Sequence, residues 1–186
     1  MQGQAWTVGW QWLTGTGPQA HDFGNGDYFT QLLQQHGHIE DLRNTFSGQL
    51  TGQCGSCDTT PLGGNSNYSL AGIQGVPKYI RDYSTLLTGG LTGNLAVTYL
   101  GSYELSYQTT AIDCKDGIAQ VHFHAHNAST IESATHPPVI GYTQWWNRYI
   151  GNPLNNVFSS GPLSRTDQNF DWDETLNFKG NCHCKN

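Results

Sequence analysis

The chain contains few charged residues. Asp, Glu, Lys and Arg together make up 12% of its 186 residues, about half the ~25% share of an average soluble domain. The eight Lys and Arg residues are scattered along the chain, and the net charge is −6. Proteins that bind nucleic acid through its phosphates need grouped cations, so we expect no nucleic-acid partner.

Long apolar runs and common catalytic motifs are also missing. No stretch approaches the ~18 consecutive apolar residues of a transmembrane helix, so we expect no permanent membrane insertion. The first residues show no basic segment followed by an apolar core, and we expect no signal peptide. The sequence lacks a Gly-x-Ser-x-Gly elbow, a phosphate-binding P-loop, a His-Glu-x-x-His pair and a dinucleotide fingerprint. No such motif therefore indicates the chemistry.

Polar uncharged residues and aromatic rings take the place of charge. Gly, Asn, Gln, Ser and Thr are abundant, and six Trp and nine Tyr supply large apolar area. This composition is typical of extracellular and effector proteins with turn-rich β-structure. The length of 186 residues suits one domain with a substantial core. We expect a single domain over 1–186, with a helical and loop-rich part at 1–92 and a β-rich part at 93–186.

Hydrophobic periodicity predicts an α+β fold. Short helices come first, and an antiparallel sheet of four or more strands follows, which can curl toward a barrel. The spacing of apolar residues predicts helices at 28–36, with Asp27 as N-cap, and at 38–46, 77–87 and 143–150. Strands are predicted at 95–100, 102–107, 118–127 and 168–178. Loops are expected at 21–27 and 47–75, and Lys115-Asp116-Gly117 is expected to form a hairpin turn.

The most informative segment is the predicted strand at 118–127, which contains His122, His124 and His126. Successive side chains of a strand point to opposite faces, so the three imidazoles share one face and the apolar residues between them share the other. Imidazoles spaced about 7 Å apart along a strand can hold a divalent metal ion or transfer protons. The alternative is a solvent-exposed sheet face on which the rings have no chemical role.

The polar loop after this strand adds further candidates. Glu132 and His136 lie in it and Arg148 follows, which could form an acid/base pair beside a cation for a developing negative charge. We expect His122, His124 and His136 to act as metal ligands or acid/base groups, assisted by Glu132 or Asp113. The last predicted strand carries an acidic face, which is interpreted as solvated, with calcium or substrate binding as the alternative: Asp167, Asp171, Asp173 and Glu174.

The cysteines number five, and an odd number leaves at least one thiol over in any monomeric disulfide scheme. Cys54, Cys57, Cys182 and Cys184 could form a structural zinc site. The alternatives are a disulfide between the 54–57 loop and the C-terminal tail, or free thiols. The Cys-x-x-Cys pair lacks the strand–helix context of a thioredoxin site, so redox catalysis is not expected.

A likeness to a known family rests on four segments: Trp12–Pro18, Phe23–Arg43, Gly101–Tyr103 and Gln168–Glu174. With them, most of the chain resembles the variable C-terminal toxin domains of Rhs-type polymorphic toxins of bacteria. The resemblance implies an antibacterial effector that is released from a larger Rhs-type carrier polypeptide and delivered into a rival bacterium. It also implies a cognate immunity protein that neutralises the domain.

A second likeness covers the chain from about residue 93 onward. It rests on Tyr99–Gly101, Asn127–Thr130, and Thr135-His136 followed by Val139-Ile140-Gly141. This part is similar to the activity domain of the colicin M family, which hydrolyses lipid II at its pyrophosphate link, and His136 would match the family's catalytic histidine. The family's aspartates before the Asn-Ala-Ser run are replaced by the region of His122, His124 and Ala125, and its Arg after the histidine is Pro137. Either histidines substitute for the acids, or the likeness is one of architecture.

Together these features favour an antibacterial toxin domain that hydrolyses a phosphate-containing envelope substrate such as lipid II. The place of action would be the periplasm of the target cell, and a divalent metal ion could serve as cofactor. One alternative is a non-enzymatic toxin that perturbs membranes or binds a target through its Trp-rich segments: Trp6, Trp10, Trp145 and Trp146. Another is a structural or carbohydrate-binding β domain.

Overall fold

The computed structural model describes residues 20–56, 58–69, 77–78, 95–127 and 167–179. They form, in chain order, β1 (Ala20–Phe23), α1 (Tyr28–Gln34), α2 (Gly37–Gly55), β2 (Gly63–Tyr68), α3 (Leu95–Leu100), β3 (Tyr103–Asp113), β4 (Ile118–Asn127) and β5 (Asp167–Asn177). The α+β class predicted from the sequence is confirmed. Strand β4 has the predicted bounds, and β5 differs from its predicted bounds by one residue at each end.

The strands form one open sheet in the order β1-β5-β4-β3-β2. Neighbours from β2 to β5 pair antiparallel, whereas β1 pairs with β5 in parallel. The expected curl into a barrel is wrong, because β1 and β2 are the two edges of the described sheet and do not pair with each other. The loop expected at 21–27 is also corrected in part. Phe23 stacks on Phe170 of β5, with ring centroids 4.7 Å apart, and this packing holds β1 in the sheet.

The hairpin between β3 and β4 has the predicted turn. Gly117 adopts a φ of 67°, a left-handed conformation that glycine reaches without a steric penalty. The Asp113 carboxylate accepts hydrogen bonds from the backbone N–H groups of Lys115 at 2.9 Å and Asp116 at 3.0 Å. Asp113 therefore stabilises the turn and makes no described hydrogen bond to His122 or His124, two of the three histidines that it was expected to assist.

Helix α2 is longer than its sequence predicts. The glycines after Phe46 predict a loop, yet the helix continues to Gly55. Phe46, Leu50 and Cys54 repeat every four residues and are all at most 1% exposed, so they form one buried stripe against the sheet. Tertiary burial of this stripe offsets the poor helix propensity of the glycines.

Two further elements differ from prediction. Residues 95–100 are helical rather than extended, and Ala96, Val97 and Leu100 are fully buried at a helical spacing. Residues 63–68 form edge strand β2 rather than a loop. Two glycines allow β2 to pair closely with β3. A Cβ atom on Gly63 would lie 2.8 Å from the Tyr107 carbonyl oxygen, and a Cβ atom on Gly64 would lie 2.7 Å from the Tyr107 hydroxyl, which is too close for any other residue without a shift.

Residue Asp27 precedes α1 as predicted, but its side chain does not cap the helix. Its carboxylate accepts the backbone N–H of Gly24 at 2.8 Å and so closes the turn between β1 and α1.

A predicted helix at 143–150 and most of the one at 77–87 lie outside the described residues. In the part of the chain that is described, no helix is both long enough and apolar enough to cross a membrane.

The core lies between the helices and one face of the sheet. Phe123 of β4 stacks on Trp172 of β5, with ring centroids 5.2 Å apart and planes inclined by 10°. Arg43 of α2 crosses to the sheet and binds both oxygens of Glu174 at 2.6 Å, and the Trp172 indole donates to the same carboxylate at 2.7 Å. The pair of Arg43 and Glu174 fixes α2 over β5.

A disulfide joins Cys54 at the end of α2 to Cys114 in the β3–β4 turn. This pairing corrects the expectation that Cys54 pairs with the tail or binds zinc with Cys57, Cys182 and Cys184. A zinc ligand must be a thiolate, and a disulfide sulfur is not one. The other three cysteines lie outside the described residues.

Candidate functional site

The three histidines of β4 share one face of the sheet, as the sequence predicts. The residues between them, Val121, Phe123 and Ala125, are fully buried on the other face. His122, His124 and His126 are all partly exposed on the face opposite the helices. The alternation of β4 therefore separates a core side from a polar side, which we call the His face.

Each histidine is held by a residue of β5. The register places His122 opposite Asp173, His124 opposite Asp171 and His126 opposite Asn169. The corresponding hydrogen bonds from Nδ1 to the Oδ1 atoms are 2.9 Å, 2.8 Å and 2.7 Å long. Three consecutive cross-strand pairs thus join the two strands on the His face.

The carboxylate of Asp171 contacts two imidazoles. Its Oδ1 lies 2.8 Å from Nδ1 of His124 and 3.5 Å from Nε2 of His122. One carboxylate oxygen therefore lies between the neighbouring rings of His122 and His124.

The row of pairs extends to the edge strand β1. Asn169 donates through Nδ2 to the Asp22 carboxylate at 2.7 Å. A carboxylate only accepts, so the amide nitrogen faces Asp22 and the amide oxygen faces His126. His126 must then carry its hydrogen on Nδ1 to bond this oxygen at 2.7 Å.

The same reasoning sets the tautomer of His124. Its Nδ1 meets the Asp171 carboxylate, so the hydrogen of the neutral ring lies on Nδ1 and the lone pair on Nε2. In His122 both ring nitrogens face carboxylates, Nδ1 that of Asp173 and Nε2 that of Asp171. Within the described residues, Nε2 of His124 and Nε2 of His126 make no hydrogen bond to another side chain or backbone group.

Among the described residues, the side chains of the His face are close to half exposed. The side chains of His122 and His124 are 45% and 40% exposed, and those of Asp171 and Asp173 are 48% and 64% exposed. The rings of His124 and His126 are nearly parallel, 7° apart in plane, with centroids 6.4 Å apart. On the other side, β3 presents Glu104, Ser106 and Gln108 opposite the three histidines.

The geometry bears directly on the expected metal site. Within residues 20–56, 58–69, 77–78, 95–127 and 167–179, no group of three or more His, Cys, Asp or Glu side chains is placed to hold a metal ion. The reason is that His122, His124 and His126 bond three different residues of β5 and do not converge on one point. The three rings instead form a row, with His122 and His124 bonded to carboxylates and His126 to an amide.

The acidic residues predicted on β5 divide between the two faces. Asp171 and Asp173 lie on the His face as histidine partners, whereas Glu174 lies on the core side with Arg43. Asp167 is exposed at the start of the strand. The predicted candidates Glu132, His136 and Arg148 lie outside the described residues, as do the Trp residues at 6, 10, 145 and 146.

The sequence analysis identified the three histidines of the His face but not their hydrogen-bonding partners on β5. It treated Asp171 and Asp173 as a solvated face, and it did not single out Asn169 or pair Asp22 with this strand. A signal was present, because β4 and β5 both alternate and both bear polar residues at every second position. Their register cannot be read from either strand alone.

Comparisons with protein-family models, with curated proteins and with solved structures find no match.

Proposed function

We propose that this chain is the antibacterial effector domain of a polymorphic toxin and that it hydrolyses a phosphate-containing envelope substrate of the lipid II type. A carrier of the Rhs type would deliver it into the target bacterium, and a cognate immunity protein would neutralise it. The observation that carries the proposal is the bond of 2.8 Å between His124 Nδ1 and Asp171 Oδ1. This bond orients an imidazole whose Nε2 can exchange protons with a bound substrate.

The neighbouring carboxylates support this reading. The resemblance to the colicin M family implies aspartates just before the Asn-Ala-Ser run, and His122, His124 and Ala125 occupy that region here. On the His face, Asp171 and Asp173 of β5 supply carboxylates beside His122 and His124. We propose that these two acids take the place of the family's aspartates.

The proposed reaction uses two neighbouring rings of the His face on one phosphoryl group. Nε2 of one neutral imidazole takes a proton from the water that attacks phosphorus, and a protonated neighbour gives a proton to the leaving oxygen as its bond to phosphorus breaks. The rings of His124 and His126 are nearly parallel, with centroids 6.4 Å apart, so the phosphoryl group would lie against the exposed edges of both rings rather than between them. Asp171 and Asn169 hold the two rings from behind.

The disulfide supports action in the periplasm. Disulfides persist in oxidising compartments and are rare where glutathione and thioredoxin keep thiols reduced. The bond between Cys54 and Cys114 closes a long loop that ties α2 to the β3–β4 turn. A domain stabilised in this way is suited to the periplasm of the target cell.

Expression in a bacterium tests the proposal. The domain is produced with and without an added periplasmic export signal, and lysis is scored against growth arrest. We expect lysis from the exported form, and rescue by the variants His124→Ala and Asp171→Asn. The matched control is Gln120→Ala, because Gln120 is exposed on the same strand and face and bonds Thr175 rather than a histidine.

A purified-protein assay identifies the reaction. Lipid II is incubated with the wild type and the variants, and the released phosphorylated headgroup is measured by mass spectrometry. General acid–base catalysis contributes at least about 100-fold, so His124→Ala should lose about that factor. A folded His124→Ala protein with wild-type toxicity and wild-type headgroup release would refute the assignment of the His face.

A further inference from the structure

A second cluster of rings lies on the opposite face of the sheet, where the first turn of α2 meets edge strand β2. It contains the histidine that precedes α2 and one in its first turn, two tyrosines from adjacent strands, a serine of β2 and a lysine: His36, His38, Tyr68, Tyr103, Ser66 and Lys78. None of these residues belongs to the His face. The cluster combines a hydroxyl, a base and a cation outside the proposed site.

The central contact joins Ser66 and His38. The Ser66 hydroxyl lies 3.1 Å from Nε2 of His38, within hydrogen-bond reach, and both residues are half-buried. A nucleophile and a base at this distance are the arrangement found in enzymes that form covalent intermediates through serine. Partial exposure leaves the hydroxyl within reach of a small substrate.

Surrounding rings hold the base in place. The His38 ring lies 5.4 Å from the Tyr68 ring and 5.8 Å from the Tyr103 ring, centroid to centroid. The two tyrosines stack on each other at 5.3 Å, and the Tyr103 hydroxyl bonds Nδ1 of buried His36 at 3.0 Å. The orientation of His38 is therefore fixed by packed aromatic groups rather than by solvent.

The electrostatic setting favours a neutral base. Burial lowers the pKa of His38 from its ordinary 6.5, and the charges of His36 and Lys78 lower this pKa further, against an opposing effect of Asp41. A neutral imidazole can accept a proton from a hydroxyl. The Lys78 ammonium, 4.9 Å from the centre of the Tyr68 ring, supplies a positive charge near the pair.

We propose that Ser66 and His38 form a second catalytic pair, which transfers acyl groups from carboxylic esters independently of the His face. Ser66 Oγ attacks the ester carbonyl and forms a carbon–oxygen bond while its proton passes to Nε2 of His38. The carbon–oxygen bond to the leaving group breaks, and protonated His38 gives its proton to the departing alkoxide oxygen, which leaves as the alcohol. Water then attacks the acyl-serine with His38 as base, which releases the carboxylic acid and regenerates Ser66. Lys78 offsets the negative charge of the tetrahedral intermediate.

Covalent labelling tests the pair. A fluorophosphonate probe forms an Oγ–phosphorus bond and expels fluoride, and p-nitrophenyl acetate forms an acetyl-serine and releases p-nitrophenol. We expect the fluorophosphonate to modify the wild type once, with peptide mass spectrometry locating the group on Ser66, and p-nitrophenol to be released repeatedly because water regenerates Ser66. Ser66→Ala should lose the modification, and His38→Gln should slow it by at least about 100-fold, the usual contribution of a general base.

The controls separate this pair from other serines and from the His face. Ser47→Ala removes another half-buried serine, one on α2 whose backbone carbonyl bonds Thr51, and should label at the wild-type rate. His124→Ala should also label normally, since His124 lies on the other face. The proposal is overturned if neither reagent modifies the wild type, or if folded Ser66→Ala is modified as fast as the wild type.

Discussion

Loss of the disulfide between Cys54 and Cys114 is expected to cost about 4 kcal/mol of the free energy of unfolding. The two cysteines are 60 residues apart in sequence. Cross-linking a loop of that length removes about 14 cal/mol/K of entropy from the unfolded chain. At 298 K this entropy corresponds to about 4 kcal/mol, which would lower Tm by about 10 °C for a chain of this size.

Urea unfolding measures this quantity in oxidised and reduced protein. We expect dithiothreitol to lower the stability of the wild type by about 4 kcal/mol and to leave Cys54→Ala/Cys114→Ala unchanged. Cys57→Ala is the control, because it removes a cysteine three residues further along the sequence that the disulfide between Cys54 and Cys114 does not use. Its stability should respond to reductant as the wild type does.

Two results would contradict the reasoning. One is a wild type whose stability does not change on reduction. The other is a peptide map of the oxidised protein in which Cys54 is joined to a cysteine other than Cys114. The first would remove the physical support for action in an oxidising compartment, and the second would replace the connection between α2 and the β3–β4 turn.

Three further predictions concern packing and charge. Phe123→Ala should cost about 3–5 kcal/mol in urea unfolding, because Phe123 is fully buried and stacked on a neighbouring ring; a cost under 1 kcal/mol would contradict this. Arg43→Ala should cost about 2 kcal/mol, since it leaves the half-buried Glu174 carboxylate without its cation, and the double variant Arg43→Ala/Glu174→Gln should recover part of that loss. Burial lowers the pKa of His38 in the folded protein below its ordinary 6.5, so the folded state binds this proton less readily than the unfolded chain. The contribution of His38 to the free energy of unfolding is therefore complete above pH 6.5 and is lost as the pH falls toward the lower folded pKa. Unfolding at pH 7.5 and pH 5.5 should therefore show a smaller pH dependence in His38→Gln than in the wild type.

The alternation of apolar and polar residues along a strand was the part of the fold that could be predicted. Strand β4 places an apolar residue at every second position, and its bounds and its two faces follow from that pattern alone. The turn at Gly117 was equally readable, because a positive φ between two alternating segments favours glycine. These features depend on residues close together in sequence.

The errors lie where distant contacts decide the structure. The glycines in the second half of α2 favour a loop locally, and only burial of Leu50 and Cys54 against the sheet keeps the helix intact. Val97 and its neighbours have strand propensity, but their buried side chains recur at a helical spacing. The parallel pairing of β1 with β5 places Phe23 opposite Phe170, two residues far apart in the sequence, and no local sequence pattern predicts this pairing.

The candidate site shows the same division. His122, His124 and His126 were readable as one face, whereas their partners depend on the register between β4 and β5. A slip of one residue would turn every β5 side chain to the other face. Asp171 and Asp173 would then face the core, and the histidines would lose their acceptors.

What prevents that slip is the packing on the opposite face of the same two strands. Phe123 faces Trp172 directly in the register, and these rings stack one residue away from the pairs formed by His122 and His124. The core therefore sets the geometry of the His face, while the His face contributes little to the core because its side chains are about half exposed. Substitution of His124 should lower activity with little loss of stability. Substitution of Trp172 should lower both, since it removes the contact that aligns Asp171 with His124.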